Sequence, residues 1–167
     1  EIRAAAFYEK PFRTFQKSTL LLSSQDVAKA IRAIIDESKM RGAQSIFSIP
    51  DFSTFFTTFE LPPMSQEEVA QAVEYEAHQQ VPLPLSDITL DWQIIGGKLA
   101  NGGQKGTPIK ILLVAVPNEV VNQYQKIASM AELELKAIEA EVFSLTRAIA
   151  AFEKDPAVLI DMGAQTT

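Results

Sequence analysis

Two periods of apolar and polar positions alternate along the chain. Glu1 to Tyr8 reads as a strand entered midway, followed by a Phe-rich connection through Phe12 and Phe15. Between Ser23-Ser24 and about Met40, Val27, Ile31, Ile34 and Ile35 fall on one stripe at helical spacing; the serines can cap the helix and Gly42 can stop it. Ser45 to Ile49 is a short strand closed by Pro50. Thr54 to Leu61 is a second, rich in Phe and Thr as strands prefer, and Pro62-Pro63 breaks it. Ser65 and Glu68 then form a capping box, in which each side chain can serve the other residue's backbone N–H at the start of a helix. That helix runs to about Gln80, with Val69, Ala70, Val73 and Ala77 as its apolar stripe and Glu67, Gln71, Glu74 and His78 on the other side. Pro82 and Pro84 forbid its continuation.

From Asp87 the period changes to two. Ile88, Leu90, Trp92 and Ile94 face one way and Asp87, Thr89, Asp91 and Gln93 the other, the pattern of a half-buried strand. Ile109 to Val116 is almost unbroken apolar and reads as a central strand, paired with the previous one across the polar loop from Gly96 to Gly106. A helix from Pro117-Asn118 carries Val120, Val121, Tyr124, Ile127 and Ala128 inward. A strand around Leu133 to Ile138 follows, then a helix with Val142, Leu145, Ile149 and Phe152 on its stripe, then a last strand from Ala157 to Ile160. Strands and helices alternate, yet the hairpin in the middle excludes a purely parallel doubly wound sheet. The fold class is therefore α+β, a mixed α/β layout.

The 167 residues suffice for one ordinary domain or two small ones, and a 47% apolar fraction supports a globular chain. A formal charge of -6 without any Lys/Arg cluster argues against nucleic-acid binding. The absence of cysteine excludes disulfides and thiolate chemistry and leans towards a reducing, cytoplasmic setting. No apolar run approaches the roughly 20 residues needed to cross a bilayer, so direct membrane insertion is not expected. Both ends read as cuts through a longer protein.

Candidate chemistry is sparse. The glycines between Gly96 and Gly106 lack the Gly-Lys-Ser/Thr spacing and the following helix of a phosphate loop, and read as a hairpin tip. His78 is the only histidine and sits on a polar helix face; Glu67, Glu68, Glu74 and Glu76 read as a solvated face. No catalytic residue is assigned. Asp161-Met162-Gly163-Ala164-Gln165-Thr166-Thr167 has a physical logic for phosphate: a carboxylate at a strand end can hold Mg²⁺ through water, Gly admits close backbone approach, and threonine hydroxyls donate to phosphate oxygens. A tight turn accounts for the same residues equally well.

Several blocks occur together: Phe59-Glu60-Leu61-Pro62-Pro63-Met64-Ser65, Ala72 to Ala77, Val81-Pro82-Leu83-Pro84-Leu85, Leu90 to Gly96, and Leu112 to Pro117. In this order they closely resemble PilM-type type IV pilus assembly proteins. The resemblance implies a fragment of an actin-like ATPase fold related to the cell-division protein FtsA, with an inserted strand-helix-strand-strand subdomain 1C. It lays out 1–52 as partial subdomain 1A, 53–132 as 1C, 133–154 as the return to 1A, and 155–167 as the start of 2A. It implies ATP and Mg²⁺ in the full-length protein, with Asp161, Gly163, Thr166 and Thr167 at the phosphates and Asp161 at the metal, while the fragment alone is expected neither to bind ATP nor to act as an enzyme. It further implies a cytoplasmic scaffold held peripherally at the inner membrane, whose partners are the N-terminal tail of a PilN-like membrane protein and pilus motor ATPases. Groove residues for that tail are expected from Phe55, Phe56, Phe59, Glu68, Ala72 and Tyr75. An FtsA-like division protein and a small-molecule kinase of the same superfamily are the alternatives.

Overall fold

The computed structural model describes residues 23–39, 44–100, 106–150, 155 and 158–161. Its elements are α1 (Ser24–Glu37), β1 (Gln44–Ile49), β2 (Phe55–Leu61), α2 (Gln66–Gln80), β3 (Ile88–Lys98), β4 (Thr107–Pro117), α3 (Asn118–Met130), β5 (Glu134–Ala140) and α4 (Glu141–Ala150), with short 3₁₀ turns at Asp51–Ser53 and Leu85–Asp87. The chain divides into two units, one containing 55–116 and the other 14–54 with 117–167.

The first unit is a three-stranded sheet in the order β2-β4-β3. β2 runs antiparallel to β4, with Phe55 opposite Ala115 and Leu61 opposite Ile109. The link from Leu99 to Gly106 is too short for the crossover a parallel pair needs, so β3 and β4 form a hairpin. Side chains alternate across a strand, so Ile109, Ile111, Leu113 and Ala115 share one face of β4 and form the floor of the core. Val69, Val73 and Ala77 of α2 recur at helical spacing and cover them. Ile88 closes one side, and Leu90, Trp92 and Ile94 of β3 pack against the same cluster. The expected central strand and the period-two face of β3 are both present. Ala70, expected on the buried stripe of α2, is exposed, while Ala72 is partly buried.

In the second unit β1 and β5 pair in parallel, Phe47 opposite Ile138 and Ile49 opposite Ala140. α1 and α3 pack together on the Phe47 face: Ala28, Ile127 and Ala131 are buried, with Val27, Ile31, Phe47, Met130 and Leu133 against them. Phe47 meets Tyr124 edge to face, ring centroids 6.1 Å apart. The next residue of β1 points the other way, where the Ser48 hydroxyl donates to Ser144 of α4 at 3.0 Å, so α4 lies on the opposite face. α3 packs on α1 and β5 and so falls in the second unit.

Two further expectations need correction. α1 ends at Glu37 rather than about Met40, because Ser38 closes the last turn and Lys39 takes a left-handed φ of 57°. Val158 to Ile160 form no strand: the apolar run has no partner strand among the described residues, and Val158 is 87% exposed. The strand expected over 1–8, Phe152 and Ala157 lie outside the described residues.

Candidate functional site

Pro62-Pro63 stops β2 and Ser65 opens α2 three residues later, so the chain reverses tightly and the first turn of α2 stands beside the end of β2. The Ser65 N–H and hydroxyl both donate to Glu68 Oε2, at 2.8 and 2.9 Å. These two bonds, the backbone one first, hold the Glu68 carboxyl below its ordinary pKa.

A helix advances 100° per residue, so the face next to the buried stripe carries Glu68, Gln71, Ala72, Tyr75 and Glu76. With Leu61, Pro62 and Met64 from the β2–α2 turn these residues line an open groove of about 470 Å³. Met64 is tied down from beneath, its carbonyl accepting from the Ala100 N–H at 3.0 Å. Tyr75 is 66% exposed. At the far end the Thr57 hydroxyl donates to Gln80 Oε1 at 2.9 Å, and Gln80 Nε2 donates to Glu76 Oε2 at 3.3 Å. β2 thereby fixes the second carboxylate of the groove through a relay.

Of the six groove residues expected from sequence, the structure brings together Glu68, Ala72 and Tyr75. Phe55 and Phe59 lie on the inner face of the sheet and pack against the core. Phe56 points to the other face, in register with Val114. The alternation of a strand explains the split, since Phe55, Phe56 and Phe59 cannot all face one ligand. Sequence reasoning missed Leu61, Pro62, Met64, Gln71 and Glu76; the signal available for Glu76 was its spacing of four and eight from Ala72 and Glu68.

Of the residues expected at phosphate and metal, Gly163, Thr166 and Thr167 lie outside the described residues, and Asp161 is exposed. Asp161 nevertheless acts at a distance. The Glu141 carboxyl, first in α4, is pushed up by burial and then by the negative charges of Asp51 and Asp161. Asp51 Oδ1 also accepts the Val142 N–H at 3.4 Å, a cap on α4. No group of three or more such side chains stands close enough to form an all-protein metal cage among the described residues.

Among the described residues no helix is long and apolar enough to cross a membrane. The two α/β units share the fold of a chain of a PilM-PilN type IV pilus biogenesis complex, on which the structure superposes with a TM-score of 0.66 at 19% identity, over 77% of this chain. The chain belongs to the family of the type IV pilus assembly protein PilM, whose family model matches residues 16–166. It spans 37% of the length of the PilM-PilN complex chain that it matches. It also resembles the cytoplasmic domain of EpsL, an inner membrane component of the type II secretion system of Vibrio cholerae, at 14% identity and a TM-score of 0.49, over 70% of this chain and 44% of that one.

Proposed function

We propose that this chain is the docking part of a type IV pilus scaffold, which receives the cytoplasmic tail of a PilN-like membrane protein on the β2–α2–β3–β4 unit. The observation that carries the reading is the open groove along α2, apolar in its floor and free of any catalytic constellation. Short peptides bind by apolar pockets and backbone hydrogen bonds and need no reactive group. Family membership supports the pilus setting over a division protein or a sugar kinase, and the related complex contains PilN beside PilM. Docking of this kind would hold the scaffold at the inner membrane through a protein, with motor ATPases as further partners.

The reading extends to ATP with Mg²⁺ in the longer protein, with Asp161, Gly163, Thr166 and Thr167 on the phosphate side. Its support is the Asp-x-Gly-x-x-Thr-Thr pattern at 161–167, whose carboxylate, glycine and threonine hydroxyls suit a hydrated Mg²⁺ and phosphate oxygens. Asp161→Ala is expected to remove the Mg²⁺-ATP-dependent rise in melting temperature of the longer protein; an unchanged rise would contradict the nucleotide part.

The docking part is tested by fluorescence anisotropy. A labelled N-terminal tail of a PilN-like protein, titrated with the longer protein, is expected to bind saturably in the micromolar range. A folded protein that leaves the anisotropy flat would overturn it.

A further inference from the structure

We draw no further inference here: the strongest candidate, the carboxylate cluster of Asp51, Glu141 and Asp161 at the start of α4, belongs to the phosphate and Mg²⁺ side already proposed, and nothing among the described residues points to another ligand there.

Discussion

Gly97 shows how little freedom a single position can have. It stands in β3 at a φ of +90°, and a Cβ built on it would lie 2.0 Å from the Pro108 carbonyl oxygen of the neighbouring strand. Both the left-handed backbone and the close approach exclude a side chain. Gly97→Ala is expected to destabilise the protein by about 2–3 kcal/mol, measured as a lower urea midpoint with an unchanged m-value. Glu141 is perturbed by charge rather than by space. Because its folded pKa lies above the unfolded one, the folded state holds that proton more tightly, and stability declines as pH rises from the ordinary glutamate value through the raised one. Glu141→Gln is therefore expected to raise the melting temperature by about 1–2 °C at pH 7, a modest effect because the group is only partly buried. Below the ordinary glutamate range the two proteins should melt together. Glu68 has the opposite sign: its contribution is present above the ordinary value and fades as pH falls through its lowered one.

Element ends are decided by local chemistry that differs in how plainly it can be read. α2 was legible at both ends, because Pro62-Pro63, the Ser65–Glu68 pair and Pro82 each carry a local reason to start or stop. β4 was legible as the central strand because its buried face is matched by Leu112, buried on the reverse face at 3% exposure. α3 ends by a device with no glycine to mark it. The Leu133 N–H donates to the Ala128 carbonyl and the Glu132 N–H to that of Ser129, while Glu132 itself takes a φ of 58°. Glu132→Gly relieves that left-handed strain at the cost of an exposed pair with Arg32, and is expected to stabilise the protein by about 0.5 kcal/mol in chemical denaturation. The apolar run at 157–160 misled for the converse reason. Apolar periodicity reports what a segment would bury, and only a neighbouring strand makes it a strand.

At the scale of the whole chain, the family and the mixed fold could be read from blocks spread along the sequence, whereas the groove could be read only in part. Its α2 rim follows from helical spacing. Its floor, Leu61, Pro62 and Met64, depends on how tightly the chain turns between β2 and α2, and no periodicity records that turn. Phe55 and Phe59 instead turn into the core and Phe56 to the reverse face of the sheet, so none of the three lines the groove although they are near in sequence. The central claim is that a membrane protein's tail lies along the exposed face of α2. Photo-crosslinking tests it most directly: a benzoylphenylalanine at Tyr75 of the longer protein, and a control at the exposed Lys29 of α1, are irradiated with a PilN-like tail. The account predicts a covalent adduct from position 75 and none from position 29; adducts from neither, or equally from both, would contradict it.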